Sequence, residues 1–188
     1  MHAFSDIKRM VILSDTHGLI RTGVEPELAG ADLILHAGDV GSAGVLAWLE
    51  RFAPTIAVCG NVDGDRLSLP ATEIISVNGE LVYLLHQLER LDLNPRIAGL
   101  RLVVSGHSHK ASITQSDEVW FCNPGSIGPR RFRLPITLVG LYLGAKTWDG
   151  TLRELMIPPG HGTERLETRA SFVMELPDRD AGLQTDEG

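Results

Sequence analysis

RMVILSDTHG (residues 9–18), DLILHAGD (32–39) and TIAVCGN (55–61) share one plan: a short β-branched and apolar run that stops at Ser-Asp, Gly-Asp or Gly-Asn. Such runs read as buried strands feeding loops. The stretches between them have helical spacing. Gly23 to Ala31 fits a short helix, and SAGVLAWLERFA (42–53) sets Val45, Leu46, Trp48, Leu49 and Phe52 at helical intervals behind Ser42, a residue suited to the N-cap. Strand, helix, strand, helix, strand in this rhythm predicts parallel pairing with right-handed crossovers.

After Pro70 the texture changes. ATEIISV and ELVYLLH flank Asn78-Gly79, the pair that a tight hairpin favours. Asn94 to Leu100 is expected to form a short helix with Pro95 in its first turn. RLVVS (101–105) is another buried strand, ending at Gly106-His107-Ser108-His109. From Ser112 onward, SITQSD, VWFCN, ITLVGLYL and TLRELMI suggest consecutive antiparallel strands. The expectation is an α/β protein with a β-sandwich flanked by helices, one domain over residues 1–159. Residues 160–188 are polar and mixed in charge, and are expected to form a loosely docked or partly disordered tail.

The chain has 188 residues, 43% hydrophobic and 22% charged, enough to bury a core without disulfides. No segment reaches the roughly 20 apolar residues of a membrane span. MHAFSDIKRMVIL lacks the basic start, apolar run and small-residue site of a secretory leader, so a cytoplasmic protein without membrane contact is expected. Cys59 and Cys122 fit no C-x-x-C or zinc-ribbon spacing and read as small interior residues. A net charge of -7 opposes binding to a polyanion, so no nucleic acid partner is expected. A small phosphorylated substrate remains compatible where a local positive centre outweighs that field.

Residues that can bind metal recur just past the apolar strands: Asp15, His17, Asp39, Asn61, His86, His107 and His109. Singly, each has an ordinary structural explanation. As an ordered series they gather at the strand edge where open α/β sheets hold ligands. Imidazole, carboxylate and carboxamide without thiolate suit manganese, iron, zinc or magnesium. Two such ions about 3.5 to 4 Å apart would activate a bridging water and clamp the oxygens of an in-line displacement. Against two carboxylates, they would leave about two positive charges to hold hydroxide and phosphate.

DTHG, GD, GNVD, a single His, GHSH and NPGS, in this order, resemble the calcineurin-like metallophosphoesterases. The similarity runs from Met10 to Leu143 and is greatest to the small bacterial phosphodiesterase subfamily that also includes the retromer scaffold subunit. It implies a four-layer αββα sandwich of mixed sheets flanked by helices. It also implies that Asp15, His17 and His109 hold one ion, that Asn61, His86 and His107 hold the other, and that Asp39 bridges both. Alternate residues past one strand can share a face, which suits His107 and His109 to neighbouring ions. The implied cofactor is a pair of divalent ions, manganese first, with nickel, iron, zinc or magnesium as alternatives. The implied nucleophile is the bridging hydroxide, with no covalent intermediate on the protein.

Three positions depart from the pattern. Val62 stands where many members of the superfamily carry a histidine thought to assist the leaving group, so leaving groups of low basicity are expected to be preferred. Gln87 follows His86 where the subfamily usually has Gly-His. The loop after NPGS reads PRRFR (129–133), and the resemblance brings it near the metals, where Arg130 is the candidate to grip a phosphate oxygen. Asp63 and His36 are candidates to support the ligands from behind.

The leading expectation is a metal-dependent phosphodiesterase or phosphatase acting on a small phosphorylated compound. The main rival is a protein-binding scaffold of the retromer-subunit type, which lacks the full ligand set that this chain keeps. A nuclease would want the missing histidine and a basic groove. The strands after Ser112 also offer an edge for self-association, so a homo-oligomer is possible.

Overall fold

A computed structural model of the chain describes residues 1–158 and 163–177, and of Arg66 the backbone alone. Its strands are β1 (His2–Phe4), β2 (Arg9–Leu13), β3 (Leu33–His36), β4 (Thr55–Ala57), β5 (Thr72–Val77), β6 (Glu80–Leu85), β7 (Leu100–Val104), β8 (Ser112–Ser116), β9 (Val119–Asn123), β10 (Thr137–Leu143), β11 (Thr147–Met156) and β12 (Arg165–Glu175). Two helices, α1 (Glu25–Leu28) and α2 (Ala43–Leu49), follow β2 and β3. The strands form two six-stranded mixed sheets, in the orders β1-β5-β6-β7-β9-β8 and β12-β11-β10-β2-β3-β4.

β2, β3 and β4 pair in parallel, as the three opening runs predict. Their ends are level: Leu13 lies opposite His36, and His36 opposite Ala57. In the other sheet β6 and β7 are parallel, with Leu84 opposite Val104. Loops leaving these five strands therefore emerge side by side along one rim. The β5–β6 hairpin turns on Asn78 and Gly79, both left-handed at φ 51° and 84°, the two-residue geometry that matches strand twist.

Alternation along each strand divides the apolar residues between three layers. Met10, Ile12, Leu33 and Leu35 face Ile75, Val82, Leu84, Leu102 and Val104 across the sandwich. Val11, Leu13 and Ile34 face the opposite way, onto Leu28, Val45, Trp48 and Leu49 of the helical layer. Each such aliphatic side chain contributes about 1.5–3 kcal/mol by leaving water. The outer face of the other sheet, with Tyr83, Leu85 and Val103, is covered by Leu91 and Leu93 beside a 3₁₀ turn at Leu88–Arg90. The expected sandwich is thus present, with an outer layer on that side made of turns.

Four local expectations need correction. Asn94 to Leu100 is a pair of overlapping turns, with Ala98 N–H on Asn94 O and Leu100 N–H on Pro95 O, so no continuous helix follows Pro95. The strands after Ser112 are not consecutive neighbours: β8 pairs antiparallel with β9, whereas β10 crosses to the other sheet between β2 and β11. Ser42 holds the N-cap position of α2, yet its side chain makes no capping bond. Within the expected tail, Arg165–Glu175 is a full edge strand paired with β11, anchored by buried Met174. Residues 159–162 and 178–188 lie outside the described residues. No helix among the described residues is long and apolar enough to cross a membrane.

Candidate metal centre

Asp15 and His17 lie just past β2, Asp39 past β3 and Asn61 past β4, while His86 follows β6 and His107 and His109 follow β7. The seven residues thus arrive at the rim from both sheets. Five of them have left-handed backbones: Asp15 (φ 55°), His17 (49°), Asp39 (54°), His107 (68°) and His109 (58°). Residues other than glycine avoid this region, at a cost of about 1 kcal/mol or more each, and such strain collects at functional sites. The glycines among them answer to crowding. A Cβ on Gly60 would lie 2.0 Å from Asp39 N, and one on Gly106 would lie 2.0 Å from Ser14 Oγ and 2.8 Å from Asp15 Oδ2.

The side chains converge in two groups joined by Asp39. In the first, His109 Nε2 stands 3.1 Å and His17 Nε2 3.9 Å from Asp15 Oδ1, with 3.3 Å between the two nitrogens. In the second, Asn61 Oδ1 lies 3.2 Å from His86 Nε2 and 2.9 Å from His107 Nδ1. Asp39 offers one oxygen to each, Oδ2 at 3.7 Å from His17 Nε2 and Oδ1 at 3.4 Å from His86 Nε2. Donors about 2.1 Å from one ion stand roughly 3.0–3.4 Å apart at octahedral or tetrahedral angles. Most of these separations lie in or close to that range, with those of His17 to the two carboxylates longer.

Two further observations fit a cation. Asp15 Oδ1 is buried without a hydrogen-bond partner. His86 Nδ1 lies 2.7 Å from Ala37 O, so it carries the proton and donates, and the lone pair of Nε2 points at the oxygens of Asn61 and Asp39. A lone pair facing two oxygens needs a proton or a metal ion between them. Consistent with this, burial pulls the His86 pKa down, but the bonds to Asp39 and Ala37 O outweigh it and raise the value. For Asp39, burial is likewise outweighed by the bonds from His86 and from Val62 N–H, which hold the carboxyl at about 2. Burial lowers His17, against the pull of Asp39.

Behind these groups the loops are tied to one another. Asp63 is buried and accepts Gly41 N–H and Gly60 N–H, each at 2.7 Å, and so joins the Asp39 loop to the Asn61 loop. His36 accepts Gly38 N–H at Nδ1, so Nε2–H donates to Thr16 Oγ1 at 2.8 Å, and the Thr16 hydroxyl donates to Val40 O. Burial holds the His36 pKa at about 4, leaving the ring neutral at pH 7. Val62 brings no acid-base group; its side chain is half exposed, and its N–H donates to Asp39 Oδ1 at 3.0 Å. Cys122 is buried, which pushes its thiol to about 12, while Cys59 is half-buried with its thiol on Gly60 O.

Three residues escaped sequence reasoning. Gln87, named above only as a departure from the subfamily pattern, stands with its amide 3.3 Å from His107 Nε2. Arg131 Nη2 lies 3.2 Å from His17 Nε2, whereas Arg130, the arginine singled out, sits close enough to Arg21 to lower its pKa, after burial the next downward influence on that group. Thr16, between two ligand candidates in DTHG, links two loops. Gln87 and Arg131 left a trace in the sequence, the one as a departure from the subfamily pattern and the other as one of three arginines in PRRFR.

The chain is similar to known proteins over most of its length. Residues 9–146 match the calcineurin-like phosphoesterase superfamily domain. A probable metallophosphoesterase of Methanocaldococcus jannaschii is 34% identical over 128 residues, which are 61% of this chain and 66% of that relative. Among solved structures, Chaetomium thermophilum Vps29 superposes with a TM-score of 0.77 at 16% identity, over 90% of this chain and all of that one. A structure described as a novel archaeal phosphodiesterase superposes with a TM-score of 0.61 at 20% identity, over 77% and 99% of the two chains.

Proposed function

Since the chain belongs to the calcineurin-like phosphoesterase superfamily, we propose that it is a metal-dependent phosphoesterase, and foremost a phosphodiesterase, acting on a small phosphorylated compound. The observation that carries this reading is the His86 lone pair aimed at the oxygens of Asn61 and Asp39, with Asp15 Oδ1 buried between the His17 and His109 imidazoles and accepting no hydrogen bond. Asp15, His17 and His109 would hold one divalent ion, Asn61, His86 and His107 the other, and Asp39 both. Bound ions supply water activated toward hydroxide and positive charge for the oxygens of an in-line displacement. The residues supply everything else. Left-handed backbones and close-packed glycines shape the loops that carry the donors, and Asp63 and His36 tie those loops together. Val62 supplies no proton to a leaving group, which favours esters whose leaving group departs as an anion.

The diester preference draws on the archaeal phosphodiesterase, and the rival scaffold reading on the Vps29 fold. What favours catalysis is the complete donor set. The test is hydrolysis of a bis-aryl phosphodiester and of aryl phosphomonoesters of graded leaving-group basicity, by metal-stripped protein with manganese, nickel, zinc or magnesium restored. Turnover is expected to return with metal, to fall steeply with leaving-group basicity, and to drop beyond about 100-fold in Asp39→Asn, more than the loss of an outer partner costs. Two bound ions without turnover would transfer the protein to the scaffold class.

A further inference from the structure

Arg131 is the one guanidinium that touches the candidate ligands among the described residues. Its Nη2 lies 3.2 Å from His17 Nε2, the nitrogen that also faces His109 Nε2 at 3.3 Å and Asp39 Oδ2 at 3.7 Å. A guanidinium has only donors, so this contact uses the imidazole lone pair. One lone pair cannot serve an N–H and a metal ion together.

The loop that carries Arg131 is fixed at its base and free at its tip. Arg21 donates to Ile127 O at 2.7 Å and to Gly128 O at 3.0 Å, and Ser126 Oγ donates to Asp15 O at 3.0 Å. Gly128 passes so close that a Cβ would lie 2.1 Å from that same Asp15 carbonyl. Beyond this root, Pro129 to Arg133 are exposed, and Phe132 reverses the chain at φ 53° with 94% of its surface in solvent. The root is anchored to a ligand-bearing loop, so Arg131 can change partner by rotating its side chain alone.

Resting on the phosphoesterase reading, we propose that Arg131 binds the non-bridging oxygens of the substrate's phosphoryl group, on the side of Asp15, His17 and His109. The fork of a guanidinium matches two oxygens of a tetrahedral oxyanion, and a chain of net charge -7 needs a local cation to draw one in. Arg21 is committed to backbone carbonyls, and Arg130 lies toward Arg21. Among the described arginines, Arg131 alone is beside the donors with an exposed side chain.

The test is calorimetric binding of inorganic phosphate to the metal-loaded protein, alongside turnover of an aryl phosphomonoester. Arg131→Ala is expected to weaken phosphate about tenfold and to raise KM by a similar factor with a smaller change in kcat, at unchanged metal content. Arg131→Lys should recover part of the loss, and Arg133→Ala, a charge control in the same loop, should stay within about twofold. Wild-type phosphate affinity in Arg131→Ala overturns the proposal and leaves the phosphoesterase reading intact. Arg131-dependent phosphate binding without turnover in any form upholds it while removing catalysis.

Discussion

Asp15 and His109 are buried at 0% and 3% exposure, whereas Asn61 and His107, their counterparts across Asp39, lie open to solvent. The buried group is shaped by backbone: all three of its own members are left-handed, and Gly106 and Gly128 press against Asp15. In the second group only His86 is buried, held by Ala37 O, while His107 and Asn61 rest on side-chain contacts with each other and with Gln87. Backbone geometry is set by folding as a whole, while exposed side-chain bonds compete with water. Two ions bound here should therefore be held unequally, the one at Asp15 more firmly.

The most severe way to break this asymmetry is to damage the residue both halves share. Gly60→Ala places a Cβ 2.1 Å from Asp39 Oδ1 and must displace the carboxylate. Both ions should be lost, with activity down by at least about 100-fold, in a chain whose circular dichroism is unchanged. Full metal content by elemental analysis would show that Asp39 is not the common element. A milder strike falls beneath the buried half. His36 titrates at about 4 in the folded chain, below the ordinary 6.5, because burial disfavours its charge. Between those values the unfolded chain binds the proton that the folded chain refuses, so stability falls as pH drops from 6.5 toward 4, by about 3 kcal/mol. Urea unfolding of metal-free protein should record that slope, and His36→Gln should flatten it. An unaltered slope in the variant would assign the acid sensitivity elsewhere. The smallest effect sharpens the open half. Gln87→Ala should weaken the ion at His107 about tenfold, the lower end of what outer partners cost. A chelator titration would then show the first release step advanced and the second unmoved. Equal displacement of both steps would make the two halves alike.

Sequence reasoning reached the strand ends because the physics there is local. A run such as DLILHAGD must bury its apolar part and turn at its polar part, and that alone puts Asp39 on the rim. The convergence of the candidate ligands was legible through repetition across five strands rather than through any one motif. β12 was not legible, because an edge strand meets solvent on most of its surface: RLETRASFVME shows a polar texture, with Met174 its one buried residue. Its charges serve the pairing, as Arg169 bonds Glu154 on β11, and they also discourage a second chain from adding to the edge. PRRFR alone does not say which of its arginines faces the ligand candidates: Arg131 contacts His17, Arg130 lies toward Arg21, and nothing in the stretch announces the left-handed Phe132. The turns at 94–100 look helical in composition, yet Gly99, at φ 71°, closes the segment after a single turn.

The rim also has a mechanical meaning. Apolar contacts between stacked sheets have no preferred direction, so a core of Ile, Leu and Val resists separation more than it resists sliding. Here the sliding coordinate is latched at one end: His86 of one sheet donates to Ala37 O of the other, and His107 N–H to Asp15 Oδ2. The edge that gathers the candidate ligands is thus also the seam at which the two sheets are locked in register.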